Sequence, residues 1–354
     1  MTALRALELP FAADRQRSLR IAIVTDAWRP QVNGVVRTLT ETKRQLEAAG
    51  HTVEMIAPER FTTFPCPTYP EIRLSLAGTK SVGRLIDAFA PDAVHIATEG
   101  PLGWAARGAC LARKLPFTTA YHTRFPEYVQ ARIGAPLSWS YAVLRRFHSA
   151  ASRVMVPTPT VKADLEHWGF ANVVLWTRGV DLDLFRPGRR DRLATKPPIF
   201  VYVGRVAVEK NVEAFLSLDL PGSKWVVGEG PAMATLKARY PEASYLGVLQ
   251  QTELAEVYSA ADVFVFPSKT DTFGLVLLEA MACGTPVAAF PVTGPLDVLG
   301  DVPPAQSGGA MDDDLRAACL RALEIPRERA RAHAMRYSWA ECARQFADHL
   351  RPRS

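Results

Sequence analysis

Short apolar runs, rich in β-branched and aromatic residues, alternate along the chain with longer stretches of helical periodicity. Strands alternating with helices at this spacing predict α/β structure with a doubly wound, parallel sheet. The runs that predict strands in the first half are RIAIVTD (20–26), TVEMIAP (52–58), DAVHIAT (92–98), PFTTAYHT (116–123), RVMVPT (153–158) and NVVLWTRGV (172–180).

Residues 186–198 (RPGRRDRLATKPP) interrupt this alternation with proline, glycine and charge, which is typical of a linker. The alternation then restarts, so we expect two doubly wound domains that face each other across a cleft. The second set of runs is PIFVYVGRV (198–206), SKWVVGEGP (223–231), ASYLGV (243–248), ADVFVFPS (261–268) and TPVAAFP (285–291). The predicted divisions are a tail (1–19), a first domain (20–186), a linker (187–198), a second domain (199–334) and a final helical segment (335–354).

The composition fits two globular cores: 354 residues, 48% of them apolar and 22% charged. No apolar run approaches the roughly 20 residues that span a bilayer, and the first 20 residues do not resemble a signal peptide. The five cysteines include no CxxC pair, so we expect reduced thiols and a cytoplasmic protein.

The charge is uneven, +9 over residues 1–190 and −3 over residues 191–354. A basic first half favours a partner that carries phosphate, an anionic membrane surface or nucleic acid. Because the basic residues form no blocks and no nucleic-acid-binding motif is found, we expect no nucleic acid partner.

The stretch 262–293 has the pattern most typical of a binding site. A buried strand is followed by a loop with Asp271, a turn at Phe273-Gly274, and a helix that begins near Leu275 and carries Glu279. A loop that leads into a helix N-terminus in an α/β protein favours a polar ligand that carries phosphate.

Four residues in other loops could complete this site. Arg205 and Lys210 flank a strand-to-helix turn, where they suit a diphosphate or form a solvated basic loop. Gly34 allows close approach of a phosphate or simply makes a turn. His122 follows a strand and is either functional or structural.

No metal site is predicted. Asp181 and Asp183 form a DxD pattern, but their place before the linker favours a turn, and residues 312–314 favour a helix N-cap. The histidines show no metal-binding spacing.

Residues 131–150 combine an apolar, aromatic side with basic residues. Such a helix either lies on an anionic membrane, through Arg132, Trp139, Arg145 and Arg146, or packs on its own domain with a solvated basic face.

Taken together, NGVVRT, YHTRFPEY, TRGVDLDLFRP, GRVAVEKN and PSKTDTFGLVLLEAMACGTPVAA resemble the retaining glycosyltransferases of family four, which have the GT-B fold of two Rossmann-like domains. The likeness runs from about residue 20 to the last helix, which in this fold crosses back to the first domain. The TDTFG sequence is similar to a subgroup that glycosylates diacylglycerol or related lipids, including sulfoquinovosyl and glucosyl transferases, and to some mannosyltransferases.

The resemblance also implies roles for the candidate residues. It places Gly34 near the diphosphate and the transferred sugar, His122 near the sugar, and Arg205 and Lys210 on the diphosphate. It places Glu279 on the ribose.

In the same resemblance Asp271 contacts the sugar and Phe273, Gly274 and Leu275 line the donor site. Asp271 departs from the family pattern, which has glutamate there; the shorter side chain moves the carboxylate by about one methylene.

The expected function is therefore metal-independent, retaining transfer of a hexose from a nucleoside diphosphate sugar to a hydroxyl acceptor. We favour glucose or glucuronate from a UDP-sugar, and a membrane lipid such as diacylglycerol as acceptor, on the inner face of the cytoplasmic membrane. The alternatives are a GDP-mannose-dependent mannosyltransferase, a nucleotide-sugar epimerase or phosphorylase of the same fold, and a non-catalytic sugar-nucleotide sensor.

Overall fold

The first half of the chain forms a parallel sheet with helices on both faces. The computed structural model describes residues 18–31, 33–66, 69–190 and 196–350, without the side chains of 66, 69–72, 128 and 131–133. Six described strands pair in the order β2-β1-β5-β6-β7-β8, all parallel, which confirms the predicted sheet. They are β1 (Arg20–Val24), β2 (Thr52–Ile56), β5 (Ala93–Ile96), β6 (Phe117–Ala120), β7 (Val154–Val156) and β8 (Val173–Leu175).

Helices connect these strands, and one hairpin was not predicted. Strands β3 (Thr63–Cys66) and β4 (Tyr69–Ser75) pair antiparallel beside the main sheet. The first helix begins at Gly34, because the Asn33 side chain accepts from the Val35 and Val36 amides and caps it. The helices are α1 (Gly34–Ala48), α2 (Thr79–Phe89), α3 (Pro101–Ala112), α4 (Phe125–Ile133), α5 (Leu137–His148) and α6 (Pro159–His167).

The second half repeats the architecture. Its described strands pair in the order β11-β10-β9-β12-β13-β14, again all parallel. They are β9 (Ile199–Val203), β10 (Ser223–Val227), β11 (Ser244–Gly247), β12 (Val263–Phe266), β13 (Val287–Ala289) and β14 (Gly309–Met311). Strand β14 was not predicted, since three residues that include a glycine make no apolar run. The helices are α7 (Val212–Leu216), α8 (Met233–Arg239), α9 (Gln251–Ala260), α10 (Leu275–Ala282), α11 (Pro295–Leu299), α12 (Leu315–Leu323) and α13 (Arg327–Ala334).

The last helix, α14 (Trp339–His349), lies against α1 of the first domain, as the resemblance implied. Phe346 is fully buried and packs edge-on against His95 and at a tilt against Trp176. The returning chain passes so close to Gly179 that a Cβ there would lie 2.3 Å from the Trp339 amide nitrogen. Glycine is therefore required at 179 by the approach of two backbones.

Residues 131–150 belong to two helices and not to one. Helix α4 ends at Gly134, which takes a left-handed conformation, and α5 begins after Pro136. Tyr141, Leu144 and Phe147 are buried in the core of the first domain, so the alternative of a helix packed on its own domain is correct for the apolar side.

Within the described ranges, no helix combines the length and apolar character needed to cross a membrane. Cys110, Cys283, Cys319 and Cys342 are buried, as expected. The tail (1–17), the centre of the linker (191–195) and the Arg132 side chain lie outside the described residues.

Candidate active site

The predicted donor-site residues lie at the carboxyl edge of the second sheet. Strands β9 and β12 are neighbours at its centre, where the strand order reverses. The loop after β9 carries Arg205 and Lys210, and the loop after β12 carries Asp271. In open α/β sheets this reversal point opens a crevice in which ligands bind. The fold therefore brings the two predicted halves of the site together.

Lys210 and Asp271 contact each other directly. The Lys210 Nζ lies 2.5 Å from the Asp271 Oδ1, and both side chains are about four-fifths buried. The other oxygen, Oδ2, is buried without a hydrogen bond to the described residues. Asp271 thus has its charge balanced by Lys210 and keeps one oxygen available as an acceptor.

Glu279 lies on α10 and is 3% exposed. Its Oε1 is 2.5 Å from Nη1 of Arg37, which comes from α1 of the first domain. Burial raises the pKa of Glu279, and the Arg37 guanidinium counteracts this. Sequence analysis assigned no role to Arg37, since nothing local pairs it with an acid 242 residues away.

The turn before α10 fixes the direction of that helix. Gly274 has φ +83°, and a Cβ on it would lie 3.1 Å from Leu277 and 3.2 Å from Phe266, so glycine is required. The Phe273 ring is buried in the core and meets Tyr337 edge-on. Its side chain therefore packs in the core and supports the turn.

Gly34 faces the second domain at the start of α1. A Cβ on it would have one neighbour within 4 Å, Leu275 Cδ1 at 3.8 Å, and its φ is not positive. Neither turn geometry nor crowding by the protein requires glycine here. The interpretation as a simple turn residue loses its support, and close approach of a ligand remains a prediction.

His122 follows β6 and is held by a residue that the sequence did not single out. The Arg178 Nη2 lies 3.3 Å from His122 Nδ1, and a guanidinium can only donate, so the ring proton of a neutral His122 lies on Nε2. Burial and the Arg178 charge hold the pKa of His122 well below its usual value. Nε2 is buried and makes no hydrogen bond to the described residues. His122 is thus a neutral donor at the cleft.

Arg178 itself is 3% exposed and donates to the carbonyls of Trp176 and Thr177. Its guanidinium lies 4.4 Å from the centroid of the Trp176 ring. An arginine at the end of the apolar run 172–180 was the sequence signal that could have identified it.

Three further contacts join the domains around this site. The Thr272 hydroxyl donates to the His122 carbonyl at 2.8 Å, and Arg124 Nη2 donates to the Thr293 hydroxyl at 3.0 Å. Asp297 of α11 accepts, through Oδ1, from the Thr160 amide at 3.1 Å and from the Thr160 hydroxyl at 2.9 Å. The loop after β12 is therefore bonded directly to the loop after β6.

The other candidates have structural roles. Asp181 accepts from the amides of residues 183 and 184, and Asp314 caps α12, as the turn and N-cap interpretations predicted. The turn at residues 228–231 is held by a hydrogen bond from the Gly228 amide to the Gly247 carbonyl. His95 is buried in β5. Among the described residues, no group of three or more His, Cys, Asp or Glu side chains is arranged to hold a metal ion.

The two facing domains, with the site at the sheet edges between them, define a GT-B glycosyltransferase. Residues 32–184 match the model of Glycosyltransferase Family 4, and residues 197–324 match that of Glycosyl transferases group 1. The chain belongs to glycosyltransferase family 4, as the sequence motifs predicted.

Individual proteins agree with this assignment. A GDP-mannose-dependent alpha-mannosyltransferase of Mycobacterium tuberculosis is 31% identical over 79% of this chain and 81% of its own length. An alpha-monoglucosyldiacylglycerol synthase of Streptococcus pneumoniae is 27% identical over 77% of this chain and 71% of its own length. The structure of a sucrose-phosphate synthase from Thermosynechococcus elongatus superposes with a TM-score of 0.75 at 22% identity, covering 93% of this chain and 97% of that one.

Proposed function

We propose that this glycosyltransferase moves a hexose from a nucleoside diphosphate sugar to a lipid hydroxyl, with retention at the anomeric carbon and without a metal ion. The observation that carries the proposal is the convergence of Arg205, Lys210, Asp271 and Glu279 on one edge of the second sheet, opposite His122 of the first domain. Cations, acids and a neutral imidazole donor at one cleft match the parts of a sugar nucleotide.

The diphosphate end of the donor is assigned to Arg205 and Lys210. Negative charge grows on the diphosphate as the glycosidic bond breaks, and preorganised cations in a partly dry cleft stabilise it. Because Lys210 also contacts Asp271, the same ammonium would hold the diphosphate and the carboxylate next to the sugar. The leaving phosphate would take the proton of the acceptor hydroxyl.

The sugar end is assigned to Asp271 and His122. The Asp271 Oδ2 has acceptor capacity for a sugar hydroxyl, and His122 Nε2–H can donate to another. Asp271 positions the sugar and is not a nucleophile in this proposal. Glu279 would accept from the ribose hydroxyls.

UDP-glucose or UDP-glucuronate is the favoured donor, and GDP-mannose is the alternative. The glucosyl relative supports the first and the mannosyl relative, at 31% identity, supports the second. A thermal-shift panel of UDP-, GDP- and ADP-sugars separates them: the proposed donor raises Tm more than its bare nucleotide does. Stabilisation by no nucleotide at all would contradict the proposal.

A nucleotide-sugar epimerase of the same fold predicts a different product. Epimerases need no acceptor, so the purified protein is incubated with donor alone and with donor plus diacylglycerol vesicles. We expect a glycolipid in the second sample and unchanged donor sugar in the first. A new sugar from donor alone would favour the epimerase.

The exposed side of α5 supports a membrane-bound acceptor. Trp139 and Val143 are 63% and 40% exposed and share one face of the helix with Arg146, while the buried residues described above occupy the other. A surface pocket of about 380 Å³ beside them is lined partly by Arg145 and Arg146. Aromatic and basic groups side by side suit an anionic membrane surface.

Vesicle sedimentation tests this surface. The double variant Arg145→Glu/Arg146→Glu should bind phosphatidylglycerol vesicles much less than the native protein does. On neutral phosphatidylcholine vesicles the variant and the native protein should behave alike. Lys237→Glu/Arg239→Glu on α8 makes the same charge change on the other domain and serves as control. Equal binding by the double variant and the native protein would contradict membrane docking through α5.

A further inference from the structure

An ion pair crosses the cleft at the proposed ribose end of the donor site. Arg37 of the first domain lies 2.5 Å from Glu279 of the second, and their side chains are 20% and 4% exposed. The pair joins α1 of the first domain to α10 of the second. A buried carboxylate requires such compensation, since burial without a partner disfavours its charge.

The two carboxylate oxygens of Glu279 are not equivalent. Oε1 is held by Arg37, whereas Oε2 has the Tyr258 hydroxyl at 3.5 Å, the limit of a hydrogen bond. The Arg37 guanidinium also lies over the Phe185 ring, with its Cζ 5.1 Å from the ring centroid, and this contact helps to hold its orientation. Glu279 is thus held through one oxygen and keeps acceptor capacity on the other.

We propose that Arg37 is a positioning residue for the nucleotide: it orients the Glu279 carboxylate toward the ribose hydroxyls and keeps it ionised, without contacting the nucleotide. This rests on the proposed function, in which Glu279 accepts from the ribose. The first domain thereby contributes to nucleotide affinity, because the cation that Glu279 needs comes from across the cleft.

The electrostatic surroundings of Glu279 make this role measurable. The groups that face it are Arg37 from α1, Tyr258 from α9 and Cys283 at the end of α10. Burial raises the pKa of Tyr258 well above its usual value and that of Cys283 to about 12, so both are neutral near pH 7. Loss of the Arg37 charge would raise the pKa of Glu279 further, because burial already raises it.

The experiment is calorimetric titration of UDP and GDP into the native protein and its variants between pH 5.5 and 8.5. For Arg37→Met we expect at least about tenfold weaker binding at pH 6, the range for losing a hydrogen bond to a charged group. The loss should shrink as pH rises, since the ionised carboxylate accepts the ribose hydroxyls and a higher pKa depletes that form at low pH. Arg37→Lys keeps the charge and should follow the native pH profile.

Two further variants complete the design. Arg44→Met makes the same change on α1 at an exposed position and should bind nucleotide as the native protein does. Arg37→Gln replaces Arg37→Met if the apolar variant does not fold, and it carries the same expectation. Thermal unfolding at each pH checks that every variant is folded.

The outcomes are distinct. An affinity loss that is the same at every pH would mean that Arg37 only holds the domains together, and tighter binding by Arg37→Met would mean that it competes with the nucleotide. Either result overturns the inference while the proposed function stands. Absence of UDP and GDP binding by the native protein overturns both.

Discussion

The hydrogen bond from Thr272 to the His122 carbonyl predicts that the Thr272 hydroxyl contributes to the coupling of the two halves of the active site. The bond is 2.8 Å long and partly buried, and Thr272 directly follows Asp271. It therefore fixes the loop of the proposed sugar-binding acid relative to the loop of the proposed sugar-binding imidazole. Thr272→Val keeps the shape of the side chain and removes the donor.

The expected cost follows from this geometry. A hydrogen bond of this kind contributes about 1 kcal/mol net, and a partly buried carbonyl left without a donor adds up to about another 1 kcal/mol. At about 1.4 kcal/mol per factor of ten, kcat/KM should fall roughly 5- to 30-fold. Thr272→Ser retains the hydroxyl and should lose much less.

The assay is nucleotide release from UDP-glucose or GDP-mannose in the presence of diacylglycerol vesicles, using the donor that gives the higher turnover. Thr270→Val is the matched control, because the Thr270 hydroxyl makes a 3.4 Å contact within its own domain, to the Glu209 carbonyl. A Thr272→Val enzyme with kcat/KM within twofold of the native value would refute the reasoning. So would an equal loss in the control.

Three other predictions concern charge, packing and pH. Lys210→Ala should lower kcat by about 10²–10³-fold in the same nucleotide-release assay, by analogy with removal of one preorganised donor to a developing anion; a kcat within fivefold of native would remove Lys210 from the mechanism. Phe346→Ala should cost about 3–5 kcal/mol of unfolding free energy in urea titrations, since the fully buried ring fills the contact between α14 and the first sheet; a loss below 1 kcal/mol would contradict that packing. Below pH 6.5 the unfolded chain protonates His95 and His122, whereas in the folded protein the pKa of His95 is about 3 and that of His122 is well below 6.5. Stability should therefore decrease as the pH is lowered, by up to about 1.4 kcal/mol per pH unit for each histidine, and His95→Gln should reduce that slope in urea titrations at pH 6.5, 6.0 and 5.5; an unchanged slope would mean that His95 takes up a proton as readily in the folded protein as in the unfolded chain.

Most of the fold could be predicted because its signal is local. Most of the predicted strands are buried apolar runs, such as Val263–Phe266, and their place between helical stretches favours a parallel sheet. The elements that were missed carry little local signal. The hairpin β3–β4 contains prolines on both strands, and β14 has three residues.

Composition left two interpretations of residues 131–150, a membrane surface or a helix packed on its own domain, because composition does not say which side of a helix meets the domain. The structure buries Tyr141, Leu144 and Phe147 and leaves Trp139 exposed. The apolar side of such a helix can be buried either in a membrane surface or in the protein core, and here it is buried in the core of the first domain.

The sequence by itself determined two α/β domains, the family, and the loops that carry Arg205, Lys210, Asp271 and His122, because glycines, strand ends and helix starts are encoded within a few residues. Only the tertiary structure decided which charges meet. Arg37 reaches Glu279 across 242 residues, Arg178 reaches His122 across 56, and Thr272 reaches the His122 carbonyl across 150. The contacts of Arg37 and Thr272 exist because the second domain faces the first, and Arg178 meets His122 because both follow strands of the first sheet, β8 and β6, at the same edge. No local pattern encodes the partner of a side chain that lies so far away along the chain.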